Sequence, residues 1–134
     1  MIKVAVSKIL KEALDNNDAQ IKSLVGEFKD YKEGKHLPDI FGKDVRYDHA
    51  HTLAAVKAED IFHIHLSSNC FPTDHRQENR TSDDHLVYCS NYFNSDSYLL
   101  MAILQPDAHE QAKDNNVMLN LAEMASHFRN LSNI

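Results

Sequence analysis

The run at residues 99–104, Leu-Leu-Met-Ala-Ile-Leu, constrains the fold more than any other part of this chain because it is apolar on both faces of a strand. A strand of this kind needs cover on both sides and is expected near the centre of a sheet. Residues 86–92 are predicted to form its hairpin partner, joined to it across the Asn-Ser-Asp turn at 94–96. The sequence therefore predicts a sheet with helices packed against it.

A third strand is predicted at residues 60–66, where apolar and polar residues alternate. Alternation places every second side chain on the same face of a sheet. One face of this strand carries Phe62, Ile64 and Leu66, and the other carries Ile61, His63 and His65. A long polar loop at 67–83 follows, and loops of this length are often functional.

Helical patterns flank these strands on both sides. Apolar residues at helical spacing predict a helix over 18–33, with Asn17 as its N-cap and Gly34 as its stop. A second helical region is predicted to begin with Asp107 as its cap and to break at 114–116, where its apolar residues change phase.

The order of elements predicts one α+β domain spanning residues 1–134. It begins with a short strand at 2–6, and the segment at 44–58 is ambiguous between a short helix and an irregular edge. We expect an antiparallel β-sheet of about four strands, with the N-terminal helix and the C-terminal helices packed on it.

Composition excludes several classes of protein. No window is apolar enough for a membrane span, and the N-terminus lacks the apolar core of a signal peptide, so a cytoplasmic protein is expected. Cys70 and Cys89 do not form a disulfide framework, and Cys89 is expected to be a small buried hydrophobe. The net charge of −6 argues against a free-standing nucleic-acid binder, since such proteins are usually basic. If this chain acts on nucleic acid, another component must bring the substrate.

Most of the nine histidines lie between residues 36 and 90, and they support two kinds of chemistry. His63 and His65 share a sheet face, and His85 opens the next strand. Two histidines at this spacing, with a third from a neighbouring strand, can hold a metal ion. A His-ligated metalloprotein, either a hydrolase or a metal-binding module, is therefore one alternative. A plain interaction protein without catalysis is another.

General acid–base catalysis on RNA is the competing interpretation, and it needs no metal or other cofactor. Cleavage through the RNA 2′-hydroxyl requires a base, an acid and cations near the phosphate. The same three histidines could carry protons, and Arg76 and Arg80 could stabilise the phosphate, because a guanidinium matches its geometry. Tyr88 could donate a hydrogen bond or stack a base. His109 and His127, on predicted helices, are expected to be structural.

Several uncommon sequence words at matching separations resemble the YafO toxins. They run in order over residues 37–129 and comprise Leu37-Pro-Asp-Ile-Phe-Gly42, Tyr47-Asp48, His63-Ile-His-Leu66, Phe71-Pro72, Arg76-Gln77, Arg80-Thr81, His85-Leu-Val-Tyr-Cys89, Leu99-Leu-Met-Ala-Ile-Leu104, Pro106, His109 and Asp114-Asn-Asn116. The N-terminal quarter of the chain matches only loosely.

This resemblance implies a toxin of a type II toxin–antitoxin system with a RelE-like fold. It implies a ribosome-dependent mRNA interferase that inhibits translation and is silenced by a cognate antitoxin. The expected partners are therefore the antitoxin, the ribosome and mRNA. The predicted catalytic residues are His63, His65, His85, Arg80 and Arg76, with Asp48 as an orienting residue and Tyr88 as a base contact. One departure is the acidic charge, because RelE-type interferases generally carry a basic cleft and surface.

Overall fold

A mixed sheet of five strands forms the centre of the protein in the computed structural model, which describes residues 1–48 and 52–134. The strand order across the sheet is β1-β5-β4-β3-β2. The strands are β1 (Lys3–Val6), β2 (Phe41–Arg46), β3 (Phe62–Leu66), β4 (His85–Ser90) and β5 (Ser97–Leu104). The doubly apolar strand β5 lies inside the sheet, as its sequence predicts.

The prediction of about four antiparallel strands is corrected in two respects. Strand β2 was not predicted, and it pairs antiparallel with β3 through a register shift between Phe41 and Asp44. Strand β1 pairs with β5 in parallel, with Lys3 opposite Ser97. The remaining pairs, β3 with β4 and β4 with β5, are antiparallel. The sheet is therefore mixed.

The helices within the described ranges are α1 (Lys8–Ala13), α2 (Asp18–Lys32), α3 (Ala54–Ala58), α4 (Ala108–Gln111) and α5 (Asn115–Arg129), and a 3-10 helix covers Gln77–Asn79. Helix α3 resolves part of the ambiguous segment, of which residues 49–51 lie outside the described residues. The break predicted at 114–116 is confirmed, since it separates α4 from α5.

Local signals explain where the helices begin and end. The side chain of Asn17 accepts a hydrogen bond from the Gln20 N–H at 3.1 Å, which caps α2. Gly34 follows α2 with a φ of +75°, a conformation that glycine adopts without strain. The prediction for Asp107 is wrong: its side chain makes no capping hydrogen bond among the described residues, and its own φ is +60°. Asp83, from the loop before β4, bonds to this helix start instead.

Two apolar cores lie on opposite faces of the sheet. One core packs α5 and α4 against β4 and β5 and includes Val87, Met101 and Leu121. The other packs α2 and α1 against the sheet and includes Phe28 and Leu86. Burying a side chain of this size contributes about 1.5–3 kcal/mol to stability. Within the described chain, no helix combines the length and apolar character needed to cross a bilayer.

Candidate active site

Three histidines meet on the sheet face that also carries α5. His65 lies directly opposite His85 in the pairing of β3 with β4, and His63 precedes His65 by two residues on the same face. His63 and His65 are each 5% exposed, and His85 is 1% exposed. The ring centroid of His85 lies 4.4 Å from that of His63 and 4.5 Å from that of His65. The structure therefore brings His85 of the next strand together with His63 and His65, which alternation places on one face.

Tyr47 completes this cluster, although no sequence pattern assigns it a role. It follows β2 directly, and its backbone N–H donates to the Ile61 carbonyl at 2.9 Å. Its ring stacks on His63 at 4.0 Å between centroids, and its hydroxyl lies 3.1 Å from Nδ1 of His85. Burial raises the pKa of the Tyr47 hydroxyl, so the phenol is neutral at pH 7.

The hydrogen bond of His65 fixes the position of its proton. The backbone N–H of Ser82 lies 2.8 Å from Nδ1 of His65. An N–H group can only donate, so Nδ1 accepts and the neutral ring carries its proton on Nε2. Nδ1 cannot take a proton without losing this bond. His65 is therefore held as a neutral ring with an N–H donor on Nε2.

The pKa values of two cluster histidines are lowered in the free protein. Burial, followed by electrostatic repulsion from the neighbouring His65 and His109 rings in their protonated forms, lowers the pKa of His85 to about 4. Burial, followed by electrostatic repulsion from His109 in its protonated form, lowers the pKa of His65. A phosphate entering the cluster would act in the opposite direction, because a nearby negative charge favours the protonated ring.

A cleft of about 500 Å³ opens over the cluster. Besides Tyr47 and the three histidines, its lining includes His109 from α4 and the two lysines Lys43 and Lys113. Lys43 is partly buried on β2, and Lys113 is exposed and lies 3.4 Å from Glu110. Neutral rings and ammonium groups thus share one surface that a phosphate group could occupy.

The two arginines expected at the phosphate lie elsewhere. Arg80 is 4% exposed, and its guanidinium donates to the backbone carbonyls of His75 and Phe41, each at 3.2 Å, and of Pro38 at 3.4 Å. It makes no ion pair with Asp83 or Asp84 among the described residues. These hydrogen bonds hold the loop at residues 67–83 against strand β2. Arg76 has a side chain that is 82% exposed, and it lies 4.0 Å from Glu78. Neither arginine is among the described residues that line the cleft.

The two expected substrate contacts also lie outside the cluster. Tyr88 belongs to the core on the opposite face of the sheet, where its hydroxyl donates to Asp44 at 2.8 Å and accepts from Lys32 at 2.9 Å. The Asp48 side chain is 58% exposed and lies 3.9 Å from Arg46. Among the described residues, neither Tyr88 nor Asp48 makes a hydrogen bond or ring contact with the three histidines.

A metal ion is the second use that this cluster allows. One nitrogen from each of His63, His65 and His85 can be chosen so that all three lie within 4.8 Å of one another. A ligating histidine normally donates its other ring N–H to an acceptor. His65 does the reverse, since its Nδ1 accepts from Ser82. Binding through Nε2 would then require the ring to lose its remaining proton, which favours proton chemistry over metal ligation.

Comparison with known proteins identifies the family. A family model described as Toxin YafO, type II toxin-antitoxin system, matches residues 29–130. The chain belongs to the YafO toxin family. The mRNA interferase toxin YafO of Escherichia coli (strain K12) is 44% identical to it over 113 residues, which cover 82% of this chain and 86% of the relative. No solved structure matches the chain.

Family membership confirms the resemblance carried by the sequence words. The segment that matches the YafO toxin model contains the three histidines, Tyr47 and His109, whereas β1 and α1 precede it. A toxin of a type II system implies a cognate antitoxin. The described residues that line the cleft therefore all lie within the part of the chain that matches the family model.

Proposed function

We propose that this protein inhibits translation by cutting mRNA on the ribosome, using its buried histidines for metal-free acid–base chemistry. The observation that carries the proposal is the cluster of three histidine rings beneath a cleft that also presents two lysines. The relative from Escherichia coli, named an mRNA interferase toxin, supports the same substrate. The proposed domain is the whole chain, and its proposed place of action is the cytoplasm.

The proposed reaction is attack of the RNA 2′-hydroxyl oxygen on the adjacent phosphorus. The 2′-hydroxyl must lose a proton, and the departing 5′-oxygen must gain one. We assign these transfers to histidines of the cleft, where the bound phosphate would favour protonation of the His63 and His85 rings. His65, which keeps its proton on Nε2, is proposed to donate a hydrogen bond to the phosphate. Lys43 and Lys113 replace Arg76 and Arg80 as the proposed stabilisers of the phosphorane, since the two lysines line the cleft.

The charge of the chain supports dependence on the ribosome. A net charge of −6 gives weak electrostatic attraction for free RNA, because phosphate contacts supply most non-specific affinity. A ribosome that presents the mRNA removes the need for capture by the toxin itself. A few lysines in the cleft are then sufficient for the step of cleavage.

Ribosome dependence is tested with purified toxin, ribosomes programmed with a defined mRNA, and the same mRNA alone. We expect new 5′ ends, mapped by primer extension, only when ribosomes are present. Addition of the cognate antitoxin should suppress them. Equal cleavage of free mRNA would refute ribosome dependence, and growth arrest without new ends would refute the nuclease assignment.

A His-ligated metalloprotein is the second candidate, and the close approach of three ring nitrogens favours it. Elemental analysis of the purified protein separates the two candidates. Stoichiometric zinc or iron that is lost in both His63→Ala and His65→Ala would support the metal site. The acid–base proposal predicts a metal content well below one ion per chain and the same cleavage rate after dialysis against a chelator.

A further inference from the structure

His109 lies beside the histidine cluster, although its position on a helix predicted a structural role. Its ring centroid is 5.0 Å from that of His85 and 6.0 Å from that of His65. Its side chain is 61% exposed, whereas the cluster beneath it is buried. It lines the same cleft. His109 is thus accessible to a substrate that approaches the buried rings.

Asp83 holds this ring in a defined orientation. One carboxylate oxygen, Oδ1, accepts from the backbone N–H of His109 at 2.9 Å and from its ring Nδ1 at 2.5 Å. The Asp83 carbonyl also accepts from the Ala108 N–H at 2.9 Å, which fastens the start of α4 to the loop. These hydrogen bonds, first from the His109 backbone and then from its ring, lower the pKa of Asp83, so the carboxylate is ionised at pH 7.

The two contacts give His109 and His65 opposite proton arrangements. An ionised carboxylate can only accept, so Nδ1 of His109 carries a proton and Nε2 of the neutral ring has a free lone pair. His65 has its proton on Nε2, because Ser82 donates to its Nδ1. One ring therefore offers a proton acceptor, and the other offers an N–H donor.

We propose that His109 is a catalytic residue of this cleft, the base that accepts the 2′-hydroxyl proton, and that Asp83 is its positioning residue. This inference rests on the proposed mRNA cleavage. A histidine that must gain a proton during the reaction is stabilised in its charged form by a neighbouring carboxylate. Asp83 supplies that carboxylate, with Oδ1 2.5 Å from Nδ1 of His109.

In the proposed step, one proton leaves the 2′-hydroxyl and one is supplied to the 5′-oxygen. The 2′-hydroxyl proton passes to Nε2 of His109, and the 2′-oxygen forms a bond to phosphorus. The bond between phosphorus and the 5′-oxygen breaks, and its electron pair stays on that oxygen. The 5′-oxygen takes a proton from a ring of the histidine cluster that is protonated in the complex with the phosphate. The N–H of His65 on Nε2 is suited to donate a hydrogen bond to a non-bridging phosphate oxygen.

Single-turnover cleavage on programmed ribosomes tests the assignment. We expect His109→Gln to lower the rate by about 100-fold or more, the range typical of a general base. Asp83→Asn should lower it by about 10-fold or more, since the carboxylate acts through His109. The double variant should be no slower than His109→Gln alone, because residues that act as a unit are not additive.

Matched control variants distinguish failure of the His109 assignment from failure of the proposed mRNA cleavage. His127→Gln and Asp74→Asn alter an exposed histidine and an exposed aspartate that do not line the cleft, and both should keep the wild-type rate. Wild-type protein that cuts no mRNA would refute the proposed function. Wild-type protein that cuts, with His109→Gln at the wild-type rate, would refute this inference alone. Additive losses in the double variant would refute the positioning role of Asp83.

Discussion

Replacing His85 by glutamine is expected to lower mRNA cleavage on the ribosome by about 100-fold or more while leaving the chain folded. His85 is at the centre of the cluster, with its ring near those of His63, His65 and His109 and with Nδ1 bonded to the hydroxyl of Tyr47. Its buried Nε2 has no hydrogen-bond partner among the described residues. Glutamine retains polar atoms of similar reach, but it cannot carry a proton between substrate atoms.

The same measurement extends to the other two buried histidines. We expect His63→Gln to lose activity by a comparable factor and His127→Gln to retain it. His65→Gln should lose less, because a glutamine amide still offers an N–H donor. Thermal unfolding and binding of the cognate antitoxin report whether each variant is folded. If all three cluster variants are folded and cleave mRNA at the wild-type rate, the histidines do not transfer protons in this reaction.

The contact between Gly42 and Arg80 is expected to control stability rather than chemistry. A Cβ at position 42 would lie 2.2 Å from the Arg80 carbonyl oxygen and 2.7 Å from the Arg80 Cβ, so the backbone would have to move. We expect Gly42→Ala to lower the free energy of unfolding by about 2–3 kcal/mol, the cost of overpacking a tight contact. Gly26→Ala is the matched control, since no described atom lies within 4 Å of its added Cβ. It should raise the free energy of unfolding by about 0.5–1 kcal/mol, because alanine favours the interior of α2.

Arg80 itself provides the companion test. Arg80→Ala leaves the carbonyls of Pro38, Phe41 and His75 without their buried donor, and we expect it to destabilise the protein by about 3 kcal/mol. Lys43→Gln should change stability by less than about 0.5 kcal/mol, as most surface substitutions do, and should lower the rate of cleavage. Chemical denaturation and ribosome assays on both variants check this contrast. If Arg80→Ala has wild-type stability but does not cleave mRNA, the structural role of Arg80 is wrong and a role at the phosphate is supported.

Local patterns in the sequence predicted most of the helices and strands but not all of the strand pairings. The alternation at 60–66 and the apolar run at 99–104 predicted β3 and β5, and the phase change at 114–116 predicted the break before α5. Strand β2 was not predicted because Phe41–Arg46 does not alternate regularly between apolar and polar residues and has a register shift in its pairing with β3. The parallel pairing of β1 with β5 joins segments more than 90 residues apart, which no local pattern specifies. Similarity to the RelE fold stays a prediction.

The residues of the candidate site were likewise predictable only in part. Alternation and strand order were sufficient to predict that His63, His65 and His85 share a face. Tyr47 and His109 reach the cluster from other elements, so only tertiary structure reveals them, although both occur in the sequence words shared with YafO toxins. Arg80 is predicted at the phosphate because a guanidinium matches phosphate geometry. Its burial against backbone carbonyls depends on the path of that loop, which the sequence does not specify.

Replacement of one nucleotide by its 2′-deoxy form in a ribosome-bound mRNA tests the central claim most directly. The substitution is made at the mapped cleavage position, and the matched ribonucleotide mRNA is the control. Acid–base cleavage through the 2′-hydroxyl predicts that the deoxy mRNA stays intact at that position and that the control yields a 2′,3′-cyclic phosphate and a 5′-hydroxyl end. Cleavage of the deoxy mRNA at the control rate, or 5′-phosphate ends from the control, would contradict the proposed mechanism.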